Sequence, residues 1–196
     1  MQLATWISFI IYDIISSFTP GPNNILILNS TSRYGFKKSS HLLFGICFGL
    51  FSVMLTDGII CTALSSIIPI IINIMKYLGA AYVLWLAWHM AKVSSPITNS
   101  NVKQYSFLQG FLLQFVNIKI ILYGVTAITN FVLPHVHSLI GISGMIIVIT
   151  LIGNAGTWTW ALAGIALSSF LQKHWKVANS IMILLLVYCA IDMIFS

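Results

Sequence analysis

"FTPGPNNILI", Phe18–Ile27, sets two prolines and a glycine inside an otherwise apolar run. Pro20 and Pro22 supply no backbone N–H, so a continuous helix would orphan the carbonyls of Ser16 and Phe18, four residues back. Each proline also disfavours helical geometry at the residue before it, here Thr19 and Gly21. One proline can merely kink a helix. Two around a glycine predict an interruption, with one half-helix ending near Phe18 and another beginning near Asn23.

The rest of the chain says which solvent this break has to survive. Of 196 residues, 59% are hydrophobic and 6% charged, and the mean hydropathy is +0.99. Soluble domains carry about 25% charged residues, so the composition is that of a membrane protein. A net charge of +6 might suggest nucleic acid, but the basic residues lie between long apolar runs. That placement reads as membrane topology, with lipid and no nucleic acid as partner. Cys47, Cys61 and Cys189 all lie in apolar segments with no metal-ligand spacing. The first basic residue is Arg33, so no cleaved signal peptide is expected.

A bilayer core about 30 Å thick needs roughly 20 apolar residues per helix. Six segments qualify: 3–28, 42–64, 71–91, 107–132, 139–167 and 178–196. Arg33, Lys37 and Lys38 fall in the first connection, Lys92 and Lys103 in 92–106, and Lys173 and Lys176 in 168–177. The other two connections, "SSIIPI" and "VLPHVHS", have no Lys or Arg. Basic loops face the cytoplasm, so both termini are expected outside. Lys76 is close enough to an outer end to snorkel. Trp6 near one interface and Trp85, Trp88 and Trp175 near the other read as anchors.

The expected fold is therefore an all-α polytopic membrane protein, one domain over 1–196, with the first helix broken at TPGP. Six spans divide into 1–91 and 107–196, joined by the polar linker 92–106. Three spans per half give the halves opposite orientations, as in inverted-topology repeats. No residue-level similarity between the halves is visible, so this repeat rests on topology alone.

A broken helix presents carbonyls with partial negative charge at one end and N–H groups with partial positive charge at the next. A zwitterionic amino acid has the complementary ends, which makes Pro20, Gly21, Pro22, Asn23 and Asn24 a candidate substrate site. A structural kink with locally satisfied polar groups is the alternative. The corresponding stretch of the second half, "QFVNIKIILYG", offers Gln114, Asn117, Lys119 and Tyr123. A lysine at midplane costs about 2.5–3.5 kcal/mol on insertion scales and persists when paired or facing water. At 1.5 Å per residue, Lys119 lies about 18 Å from Phe107 and Asp13 about 22 Å from Leu28. The two are expected to face one polar cavity, as an ion pair or as proton-handling groups; a purely structural pair is the alternative.

Asp57 reads equally as a gate, a proton site or the wet edge of a cavity, and Asp192 as surface. Asn154 and Thr157, in "GNAGTWTW", are candidates for the cavity lining, although close packing explains the neighbouring glycines as well. "GICFG" is a small-residue packing face. His135 and His137 lack a third ligand, so no metal is expected. Clustered acids, a serine with a base, or ligand histidines at one depth are not visible, which argues against an enzyme and against a cofactor. A membrane thiol-redox carrier is the rival from another class. Its cysteines would have to come within about 7 Å between Cα atoms. Cys47 and Cys61 are about 21 Å apart along one helix.

Several stretches together resemble the LysE/RhtB-type amino-acid exporters. They are "TPGPNN" at 19–24, "YGFKKSSHLLFGICFG" at 34–49, "YLGAAYVLWLAWHMA" at 77–91, "FLLQFVNIKIILYGVTA" at 111–127 and "LLLVYCA" at 184–190. The paired asparagines and the Asn-Ile-Lys sequence look closest to the cysteine/O-acetylserine exporter branch. The resemblance implies a six-span inner-membrane exporter of small amino acids, driven by the proton motive force and able to form a homodimer. By motif, Pro20, Gly21, Pro22 and Asn23 belong to the first signature, and Asn117 and Lys119 to the second. Asp13 and Asp57 match no motif. Ile118 stands where most of the family has proline, so nothing local dictates a break in the fourth helix. Threonine, homoserine or another amino acid stays open as the substrate.

Overall fold

The computed structural model describes residues 3–63, 68–92 and 105–195. Helix α1 spans Leu3–Phe18, α2 Pro22–Ala63, α3 Ile68–Lys92, α4 Phe107–Val116 and α5 Ile118–Ala127. A π-helical turn at Ile128–Val132 is followed by α6 Leu139–Ala166, α7 Ser168–Lys173 and α8 Trp175–Phe195. Among the described residues there is no strand. The linker residues 93–104, residues 64–67 (which include the start of the "SSIIPI" connection), and the side chains of Lys76 and Asp192 lie outside what the structure describes.

The TPGP break falls where the prolines require it. α1 stops at Phe18 and α2 begins with Pro22 as its first residue, a position where the missing N–H would have had no partner anyway. α2 then turns sharply at Gly35, whose φ of 74° and ψ of 172° leave the helix. Only glycine takes that backbone without strain. The polar stretch 29–41 reads as a loop in sequence, yet it is helical on both sides of this single residue. Its hydroxyls are satisfied locally: Thr31 donates to the Ile27 carbonyl, Ser32 to Asn29, Ser40 to Lys37, and Ser30 pairs with Ser39.

α4 opens with a capping box between Ser106 and Gln109. The fourth apolar segment is broken too, despite having no proline. Asn117 sits in extended backbone between α4 and α5, and the helix bends there by 60°. By length and composition α2 and α6 are each able to cross a membrane, and the bent segment 107–132 is a third. Numerous large apolar side chains face outward, among them Phe48, Ile59, Trp88, Leu151 and Leu184. That is an outer surface suited to lipid.

α2 packs against α6 and α4, α1 against α6, and α3 against α8. Missing side chains allow the closest approaches. A Cβ on Gly45 would lie 2.1 Å from the Phe107 carbonyl oxygen, and one on Gly110 2.6 Å from that of Leu42. The interior holds two apolar clusters, one around Ile25–Ile27, Leu42, Ile46 and Leu186, the other around Phe9, Met54, Ile128 and Ile149. The helix break at 19–21 lies between them along the chain, and the break at 117 is flanked by Leu113 and Ile118 of the first. The described basic connections around Arg33 and Trp175 meet at one end, beside Met90 of α3. Arg33 stacks on Trp175 at 3.5 Å, Gln172 donates to the Ser32 carbonyl, and Asn179 donates to that of Met90.

Gly45→Ala forces Cβ into backbone and is expected to destabilise by about 1–3 kcal/mol, seen as a lower thermal midpoint in detergent. Gly144→Ala, with open space around its Cβ, leaves the midpoint unchanged.

Candidate functional site

The carbonyls released at the end of α1 are met by side chains from three other helices. The Trp160 indole of α6 donates to the Phe18 carbonyl at 3.1 Å. Asn24 of α2 donates to Ser17 at 2.9 Å and to Thr19 at 3.0 Å. Lys119 of α5 reaches the Thr19 carbonyl at 2.8 Å and that of Pro20 at 3.5 Å. The Thr19 hydroxyl turns back to Ile15. α6 can come this close because Gly156 lies against Ser17, where a Cβ would stand 2.8 Å from the Ser17 oxygen.

The second break is tied to the first by amides. Asn23 Nδ2 donates to Gln114 Oε1 at 2.6 Å, and Gln114 Nε2 donates back to Asn23 Oδ1 at 3.0 Å. Asn117 Nδ2 donates to the same Asn23 oxygen at 3.1 Å, and Gln114 also reaches the Gly110 carbonyl. All three amides are buried. Each partner satisfies groups that would cost roughly 1–3 kcal/mol if left alone.

Between the breaks lies a cavity of about 20 Å³, lined by residues that include Gly21, Pro22, Asn23, Asn24, Asn117 and Lys119. That is room for about one water molecule. Two buried polar atoms of its wall, Ser17 Oγ and Asn117 Oδ1, have no partner within the protein. Buried polar atoms are ordinarily paired, so these two mark the cavity as a place for a polar guest.

Six of the seven residues proposed from sequence to bind substrate line this cavity, and the seventh, Pro20, does not line it and meets Lys119 through its carbonyl. Tyr123 and Thr157 also line the cavity, while Gln114 stands behind Asn23. Asn154 does not line it. Gly153 and Thr157 face inward one turn apart, and Asn154, rotated about 100° from Gly153, instead lines an outward apolar groove with Phe48 and Leu151.

Asp13 and Lys119 are not joined. Neither Asp13 oxygen has a hydrogen-bond partner, although Tyr123 is its neighbour; the Tyr123 hydroxyl donates to the Ile149 carbonyl at 3.1 Å. The lysine is engaged at Thr19, six residues along from Asp13. Depth measured along an unbroken helix cannot anticipate this, because the break releases carbonyls that compete for the ammonium. Asp57 is also buried, away from the cavity, in the notch left by Gly124, where a Cβ would lie 2.2 Å from Asp57 Oδ2. Ser16, Ser17, Leu50, Ile120 and Gly153 complete the lining and were not foreseen. The serines immediately before the break were the available signal. Nothing in the sequence marked Trp160.

Two interrupted apolar helices meeting at a small polar cavity define a class, that of membrane translocators for small molecules. The chain matches the LysE type translocator family over residues 14–196 and belongs to it. It is 43% identical over 184 residues to the cysteine/O-acetylserine efflux protein of Salmonella typhimurium, covering 94% of each chain. It is 41% identical to the proteins of that name from Escherichia coli K12 and Shigella flexneri, again over 94% of each. No solved structure matches. This is the family that the sequence motifs resembled, and its members are translocators, not enzymes.

If the amide joint holds the two breaks together, a double-mutant cycle between Asn23→Ala and Gln114→Ala returns a coupling of about 0.5–3 kcal/mol in thermal unfolding. The same cycle between Asn154→Ala and Gln114→Ala returns none.

Proposed function

We propose that this chain exports small neutral amino acids, cysteine and O-acetylserine foremost, across the inner membrane by proton-coupled alternating access. The observation that carries the reading is the pairing of opposite half-helix ends at one polar cavity. The end of α1 offers carbonyls to an ammonium, and the start of α2 offers N–H groups to a carboxylate. In this reading Gly21, Pro22, Asn23 and Asn24 form the first wall, with Pro20 beside it through its carbonyl, and Asn117 and Lys119 complete it. The substrate itself is suggested by the relatives, which are cysteine/O-acetylserine efflux proteins.

The transport cycle in this reading uses six spans in two inverted halves. The packing supports it: exchanging the halves turns the α1–α6 contact into the α4–α2 contact and returns α2–α6 and α3–α8 to themselves. The cavity is too small for an amino acid, so binding requires the halves to part. The clustering of basic connections at one end supports a cytoplasmic face there, with both termini outside. Asp13 and Asp57 are the proton-coupling candidates. A charge buried without a partner is costly, so the charge of each depends on its access to water. A homodimer is part of the same reading.

The test is counterflow in proteoliposomes with labelled cysteine, O-acetylserine, threonine and lysine, with and without a pH gradient. Cysteine and O-acetylserine should exchange above empty vesicles, and no amino-acid flux would overturn the proposal. Asp13→Asn or Asp57→Asn, whichever couples, removes the response to the gradient; if both keep it, neither is the coupling group. For orientation, impermeant maleimide on intact cells should label His137→Cys and spare Lys38→Cys, in a chain whose native cysteines are replaced.

A further inference from the structure

The acceptors at the end of α1 already hold a cation. Lys119 Nζ lies 2.8 Å from the Thr19 carbonyl oxygen and 3.5 Å from that of Pro20. The lysine reaches them over Gly21, where a Cβ would stand 2.9 Å from Cδ and 3.0 Å from Nζ. The Thr19 oxygen also accepts from Asn24 at 3.0 Å, so both of its lone pairs are engaged. Of the neighbouring carbonyls, Phe18 already accepts from Trp160 and Ser17 from Asn24, with one lone pair left on each, so Thr19 is the acceptor that an incoming ammonium can take only by displacing a donor.

A substrate ammonium directed to this helix end therefore meets another ammonium in its place. We propose that Lys119 is a tethered competitor for the substrate's α-ammonium and so sets specificity for zwitterions. It holds the Thr19 and Pro20 carbonyls until a substrate displaces it, then turns to the substrate carboxylate. This rests on the amino-acid reading above and adds a rule of selection to it. A zwitterion brings the counter-charge that the displaced lysine needs. A simple amine evicts Lys119 and leaves a second cation in the cavity with nothing to pair it, which is costly away from water. Amines without a carboxylate are thereby rejected, although they fit the carbonyls as well as an amino acid does.

The test compares three ligands under reducing conditions: cysteine, cysteamine (the amine without the carboxylate) and 3-mercaptopropionate (the carboxylate without the amine). Affinity is read from ligand-dependent thermal shifts of the full chain in detergent. The unaltered protein should bind cysteine and discriminate against cysteamine. Lys119→Met, which removes the competitor, should bind cysteamine about tenfold more tightly, or 1.4 kcal/mol, and cysteine and 3-mercaptopropionate more weakly. Lys119→Arg keeps the cation and should discriminate as the unaltered protein does. Lys119→Gln replaces the methionine variant if that one fails to fold. Cysteamine affinity that is unchanged or weaker in Lys119→Met, or gained equally in Lys119→Arg, overturns the proposal. If the unaltered chain binds and transports no amino acid, the substrate reading fails instead, while the cysteamine comparison between variants still decides whether Lys119 competes.

Discussion

A carbonyl or N–H released from a helix inside hydrocarbon has no water to turn to, and this structure is organised around that constraint. Leaving such a group unpaired costs several kcal/mol, whereas making an ordinary hydrogen bond gains only about 1 kcal/mol net. The penalty therefore dictates the arrangement more than the gain does. Interrupting α1 at Thr19–Gly21 frees a set of carbonyls that only other helices can answer. Trp160 of α6, Asn24 of α2 and Lys119 of α5 do so at once. The glycines follow from the same demand, because Gly156 and Gly21 clear the approach for α6 and for the lysine stem. One local irregularity thus determines which helices must be neighbours.

The two breaks differ in how far they could be read from sequence. At Pro20 and Pro22 the cause is covalent: a missing N–H and a ring clash act wherever the residues occur. That break is legible without knowing any other part of the chain. At Asn117 nothing local compels an interruption, and Ile118 suits a continuous helix. The break is held by a bond from Asn117 to Asn23, 94 residues away. An asparagine that can trade helix geometry for a side-chain partner does so only when that partner is in place. The same distinction explains the Asp13–Lys119 expectation. Depth along a helix is readable from sequence, but the direction of a side chain depends on which acceptors the fold sets free.

Polarity misled in one more place. Residues 29–41 carry serines, a threonine and three basic side chains, the usual marks of a loop, yet they continue the helix on both sides of Gly35. Hydroxyls bonded back to carbonyls three or four residues earlier keep the helix tolerable. Glycine alone then makes the turn. What the sequence carries here is the position of a hinge, and the polar residues around it disguise its sharpness.

The chemistry of the joint between the two breaks also bears on motion. Asn23 follows the first break, and Gln114 and Asn117 lie at the second, so the joint is made between segments about 90 residues apart in sequence. The joint is made of neutral amides rather than of the Asp13 and Lys119 charges that the sequence also offers. Separating a buried ion pair strands two charges at several kcal/mol each. Separating two amides costs less and leaves groups that water or a substrate's polar ends can satisfy. The cavity beside this joint holds about 20 Å³, so a guest larger than a water molecule fits only if the joint loosens. The amide joint holds the two broken helices in register without a buried charge. Lys119 takes no part in this amide joint and stays with the Thr19 carbonyl.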